Sequence, residues 1–233
     1  VDRSAELADN LKAVRERIAD ACAAAGRDPS TITLVAVTKT FPASDVRILA
    51  ELGLTHVAEN RDQDAAPKAA ECRDLDLTWH FVGRLQTNKV KSVLKYAQVV
   101  QSVDRPKLVS VLSDAAVARG GDVTCLVQVS LDPVEASGRG GARPEDVLSL
   151  AAAVERAPGL VLGGVMGVAP LGEDPAPAFA TLAEIAGSVR AAHPAAAVVS
   201  AGMSGDLTEA IACGATHVRI GTALLGGRQT IVR

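Results

Sequence analysis

Eight short apolar runs recur along the chain and alternate with helical segments. They are Ile32–Val37, Thr55–Ala58, Thr78–Val82, Gln98–Gln101, Thr124–Val129, Leu160–Val165, Ala197–Ser200 and Thr216–Ile220. Each is too short for a core helix, and several are rich in β-branched residues, so they read as buried parallel strands. The segments between them read as helices: Pro42–Leu52, Ala65–Cys72, Thr87–Leu94, Arg105–Arg119, Pro144–Ala157, Pro175–Ala192 and Leu207–Cys213. A Gly-rich, charged loop stands at residues 132–143. Such a β/α rhythm points to an α/β fold, a TIM-type (β/α)8 barrel. A doubly wound open sheet is the competing arrangement. Residues 4–24 place Leu7, Leu11, Val14, Ile18 and Ala21 at three- and four-residue steps, an additional N-terminal helix ahead of the barrel. No linker or low-complexity segment interrupts the pattern, so residues 1–233 read as one domain.

The core of such a barrel has to be built from Ala, Val, Leu and Ile, because aromatic residues make up 2% of the chain while hydrophobic residues make up 48%. The net charge of -3 and the scattering of basic residues give no footprint for nucleic acid or anionic lipid. No apolar run approaches the roughly 18 residues of a membrane span, and the first residues lack the apolar stretch of a signal peptide. Cys22, Cys72, Cys125 and Cys213 form no CxxC pair and read as reduced thiols, so a cytoplasmic protein is expected. The four histidines are equally dispersed, which argues against a metal site.

In a barrel of this kind, chemistry gathers where the strands end. Lys39 stands just beyond the first strand, where partial desolvation favours a nucleophilic amine. It can form a Schiff base with a carbonyl, neutralise a phosphate, or simply cap the strand. After the last two strands, Ser204, Gly221 and Thr222 offer hydroxyls and a close backbone approach, a pattern suited to phosphate. Arg219 alternates with Val218 and Ile220. Facing the barrel interior it needs a buried partner or ligand; facing the helices it needs an acid. His80 reads either as a site residue or as a satisfied core histidine, and Asn60 ends the second strand. There is no GxGxxG after the first strand, no GxxxxGK[ST], no HExxH and no GxSxG.

Several separated motifs agree in order with one family. They are VAVTKT around Lys39, AEN at 58–60, HFVGRLQTNK at 80–89, GGVMGVAPLGED at 163–174, SAGMSGD at 200–206 and HVRIGTALLGG at 217–227. The chain resembles the pyridoxal phosphate homeostasis proteins, single-domain relatives of the bacterial alanine racemase barrel. The resemblance implies that Lys39 holds pyridoxal 5'-phosphate as an internal aldimine. It also implies that Ser204, Gly221 and Thr222 bind the phosphate and that Arg219 faces the pyridine nitrogen. Asn60, His80 and Met203 would line the pocket, with Ser200 on the strand before the phosphate loop. It implies a monomeric carrier or buffer in vitamin B6 and amino-acid homeostasis, without robust turnover, that makes transient contacts with apo-enzymes. A weak amino-acid racemase and a sugar-phosphate barrel enzyme are the rival readings. Arg61-Asp62 depart from the family pattern, in which a Tyr and a hydrophobic residue often follow Glu-Asn.

Overall fold

The computed structural model describes residues 2–132 and 140–227. Of the loop read at 132–143, residues 133–139 lie outside the described residues. Eight parallel strands close into a barrel in sequence order: β1 (Thr33–Val37), β2 (His56–Glu59), β3 (Thr78–Phe81), β4 (Val99–Val103), β5 (Val123–Gln128), β6 (Leu160–Met166), β7 (Val198–Ser200) and β8 (His217–Ile220). All eight fall on the apolar runs, within a residue or two at their ends. The open-sheet alternative is excluded, because β8 pairs with β1 and Val35 sits opposite Arg219.

The helices are α1 (Arg3–Ala24), α2 (Ala43–Glu51), α3 (Asp62–Glu71), α4 (Val90–Val93), α5 (Pro106–Arg119), α6 (Val147–Arg156), α7 (Pro175–Ala192), α8 (Leu207–Ala212) and α9 (Thr222–Leu225). α3 begins three residues earlier than the sequence suggests, because Asp62 and Asp64 favour the positive end of a helix. The four-residue α9 carries no periodicity long enough to detect.

α1 is not an appendage. In a regular barrel an eighth helix follows the last strand; among the described residues only the four-residue α9 does. α1 instead packs against α8, α9 and α2. Its Leu7, Leu11, Val14 and Ile18 share one apolar cluster with Ala36 of β1 and with Val218 and Ile220 of β8. The N-terminal helix therefore completes the outer ring. Burying four such side chains stabilises the fold by about 1.5–3 kcal/mol each. Asp2 opens the helix by accepting from the Ser4 N–H. On the same helix, Arg3 donates to Leu225 O, Asn10 to Leu224 O and Arg17 to Ser204 O. α1 thus satisfies the end of α9 and braces the loop after β7.

Candidate functional site

Strand alternation sorts the side chains into two layers. Trp79, Val57, Val218 and Ile220 point out to the helices, in one cluster with Leu49 and Leu54. Their neighbours point into the bore, Arg219 among them. Arg219 is 4% exposed; its Nη1 donates to Ser200 Oγ at 2.6 Å and its Nη2 to Gly167 O at 2.8 Å. The open question about Arg219 closes in favour of the barrel interior. Burial pushes its guanidinium down to about 10.

Ser200 in turn donates to Gln101 Oε1 at 2.6 Å. Gln101 Nε2 lies 2.8 Å from His80 Nδ1, and His80 Nε2 lies 2.9 Å from His56 Nδ1. His80, 2% exposed, is thus joined to Arg219 through two intermediates rather than standing open at the mouth. Desolvation, then repulsion from His56, His217 and Arg219, drives His80 down to about 3. His217 is held at about 4, mainly by burial, and His56 is also lowered by burial.

The loop after β7 and the turn after β8 meet at α9. Ser204 Oγ accepts from the Ala223 N–H at 3.1 Å. Ser204 thus caps α9, not α8, whose N-cap is Asp206. Asp206 Oδ1 accepts from the Met203 N–H at 2.6 Å, which fixes the loop. Gly202 holds a left-handed φ of 88°, and a Cβ there would lie 2.6 Å from that of Ala210. Gly221 packs on Val37, two residues before Lys39. The lysine and the phosphate-type turn therefore stand at the ends of adjacent strands. At the start of α9 the Ala223 N–H is taken by Ser204 Oγ and the Leu224 and Leu225 N–H groups return to Gly221 O, which leaves the Thr222 N–H as the amide without a partner among the described residues.

Lys39 is exposed rather than partly desolvated, and no side-chain hydrogen bond holds it among the described residues. Its strand stops short of the mouth, which leaves the amine beyond the apolar layer. The backbone beneath it is held firmly. Phe41 N–H donates to Thr38 O, closing a turn in which Thr40 adopts φ 71°, unusual for a β-branched residue. Thr38 O also accepts from Lys68 Nζ at 2.7 Å. Lys68 pairs with Glu59, whose carboxylate also accepts from Thr38 Oγ1. Glu59 is fully buried and its Oε2 has no protein partner among the described residues.

Asn60 follows Glu59 and forms one wall of a cleft of about 680 Å³ that includes Arg61, Arg84 and Lys89. Gly83 lies against it so closely that a Cβ would fall 2.1 Å from Asn60 O. The structure thus gathers Ser200, Arg219 and His80 in the bore, and Met203, Ser204, Gly221 and Thr222 around α9. Lys39 stands at the mouth, and Asn60 lies on the β2–β3 side. The sequence pattern does not assign a site role to Lys68, Gln101, His56 or His217. Polar residues at inward positions of otherwise apolar strands were the available signal for the last three.

The alanine racemase N-terminal domain model matches residues 3–229. Pyridoxal phosphate homeostasis protein of Mycobacterium tuberculosis is 43% identical, over 98% of this chain and 95% of that protein. The chain belongs to the pyridoxal phosphate homeostasis protein family. The Escherichia coli relative is 33% identical over 96% of the chain. Among solved structures, PipY of Synechococcus elongatus with pyridoxal phosphate bound superposes with a TM-score of 0.83 at 32% identity. That match covers 94% of this chain and 100% of PipY. Alanine racemase from Corynebacterium glutamicum shares the fold at 13% identity and a TM-score of 0.71; the chain covers 60% of it. No helix among the described residues is long and apolar enough to cross a membrane.

Proposed function

We propose that this member of the family binds pyridoxal 5'-phosphate and acts as a cytoplasmic, monomeric carrier or buffer, releasing it through transient contacts with apo-enzymes. The observation that carries the reading is the placement of three complementary groups at one end of the barrel. Among the described residues an amine without a side-chain partner stands beyond β1, a turn carrying Ser204, Gly221 and Thr222 stands beyond the neighbouring β8, and a donor-only guanidinium lies in the bore. An aldehyde, a phosphate and a ring nitrogen call for those three in turn, so the residues fit the cofactor.

Lys39 would hold the aldehyde carbon as a Schiff base; Ser204, Gly221 and Thr222 would hold the phosphate, and Arg219 would face the ring nitrogen. Asn60, His80, Ser200 and Met203 complete the shell or support it. When bound, pyridoxal phosphate supplies an electron sink for carbanion chemistry. Arg219 would oppose that use, since a guanidinium facing the ring nitrogen would disfavour its protonation. A two-base racemase also needs an acid-base group on each face of the substrate carbon. The chain's one tyrosine, Tyr96, packs edge-on against Trp79 on the helix side, away from the mouth. Burial raises its phenol well above the ordinary range. These features favour holding the cofactor over turning amino acids over.

The test is direct transfer. Loaded protein is mixed with an apo aminotransferase and a scavenger of free cofactor. Recovery of aminotransferase activity faster than spontaneous release supports a carrier. Loss of the α-hydrogen from amino acids well above the free-cofactor rate, without transfer, would replace it with the racemase reading.

A further inference from the structure

The bore carries a row of hydrogen bonds that runs most of its length, and its direction can be worked out from one end. Arg219 can only donate, so Ser200 Oγ accepts from Nη1 at 2.6 Å. The Ser200 proton then needs an acceptor, which is Gln101 Oε1 at 2.6 Å. The inverted amide would leave that proton with no acceptor among the described residues. Gln101 therefore turns its NH2 to His80, and His80 Nδ1 accepts at 2.8 Å. A neutral imidazole that accepts at Nδ1 carries its proton on Nε2. His80 Nε2 donates to His56 Nδ1 at 2.9 Å, which places the His56 proton on Nε2 as well. His56, half-buried, borders a cleft with Thr33 and Thr55 at the opposite, N-terminal end of the barrel. The third ring of the cluster, His217, stands outside the row: its Nδ1 is engaged by Thr216 Oγ1 at 2.9 Å. Each contact of the row then has one direction only, and a proton on His80 Nδ1 would set two donors against each other.

We infer that Gln101 is a positioning residue for Arg219, and that the row Ser200–Gln101–His80–His56 locks in one orientation the guanidinium that would face the cofactor. The assignment of the row stands on the protein alone; its consequence for the cofactor rests on the reading proposed above. Ser200 serves here as the acceptor that aims Arg219. Gln101, which belongs to neither the phosphate turn nor the mouth, becomes a determinant of how firmly the ring is held.

The experiment begins with unloaded protein and long-range proton–nitrogen NMR of the four histidine rings, assigned by single His→Gln variants. Neutral, Nε2-protonated patterns for both His56 and His80 at neutral pH are expected; an Nδ1 proton on His80 would overturn the row. In Gln101→Glu, a carboxylate accepts from Ser200 and demands a proton on His80 Nδ1, so the His80 pattern must change. An unchanged pattern would also overturn it. Cofactor binding is then titrated by absorbance. Gln101→Met is expected to bind about tenfold more weakly, with a displaced absorption band, while Gln101→Glu recovers most of the affinity through its contact with Ser200. Unaltered affinity and spectrum in Gln101→Met would refute the positioning role. If the unaltered protein itself fails to bind pyridoxal phosphate, the proposed function fails, and the ring patterns still decide whether the row exists.

Discussion

Replacing Lys68 by methionine should be among the costliest single changes outside the apolar core. Lys68 is 7% exposed and its ammonium carries two contacts, to the Glu59 carboxylate and to Thr38 O. Methionine keeps the apolar stem and removes both. Glu59, fully buried, would be left with Thr38 Oγ1 as its one partner among the described residues. Breaking a buried pair on one side costs about 3–5 kcal/mol, because a charge stays behind without compensation. Loss of the bond to Thr38 O adds about 1 kcal/mol. Changing both residues, as Glu59→Gln with Lys68→Met, removes the stranded charge and should recover about 2 kcal/mol or more.

Urea unfolding followed by fluorescence measures this directly, since Trp79 is the one tryptophan and is buried. The expected order of stability is unaltered protein, then double variant, then Lys68→Met. Thr38 also precedes Lys39, so Lys68→Met should capture pyridoxal phosphate more weakly although Lys68 lies behind the mouth. A loss below about 1 kcal/mol in Lys68→Met, or a double variant no better than the single one, would refute the reasoning.

Gly83→Ala places a Cβ 2.1 Å from Asn60 O, backbone that cannot rotate away; about 1–3 kcal/mol of stability and a measurable share of cofactor affinity should be lost in melting and titration experiments. Leu11→Ala, on the face of α1 that closes the ring, should cost about 2–5 kcal/mol by urea unfolding, where a mere appendage would cost little. Stability should also fall with pH. His80 and His217 are held near 3 and 4, below the unfolded value of 6.5, so the unfolded chain binds more protons. Their contribution is whole above about pH 7 and is lost as pH falls from 6.5 toward 4, at up to about 1.4 kcal/mol per unit for each ring. A His217→Asn variant should show a shallower slope between pH 7 and 5 in chemical denaturation.

The barrel was legible because each strand is a short apolar run and each connection ends in Gly, Pro or a cap. What was not legible depended on three-dimensional closure. Nothing local in residues 4–24 says that their apolar face will complete the outer ring over β8 and β1. Alternation allowed Arg219 to face either way, and only the partners Ser200 and Gly167 decide it. The Glu59–Lys68 pair joins β2 to α3, so the lysine reads from sequence as an ordinary charged helix residue. Gln101 and His56 each look like a strand end. They gain meaning only when the register brings β2, β3, β4 and β7 around one bore. Ser204, Gly221 and Thr222 were legible as a group because glycine and small hydroxyls recur after two consecutive strands. The exposure of Lys39 was not: the strand end at Val37 can be read from the sequence, but exposure depends on which neighbouring segments pack over the mouth.

Cofactor capture by this barrel turns on Lys39. Purified protein is incubated with pyridoxal phosphate, its absorbance recorded, and the mixture reduced with borohydride and mapped by mass spectrometry, beside Lys39→Ala. An absorbance band near ~420 nm and a reduced adduct on Lys39, both absent from the variant, are expected. No band and no adduct, or an adduct formed equally on other lysines, would contradict capture at Lys39.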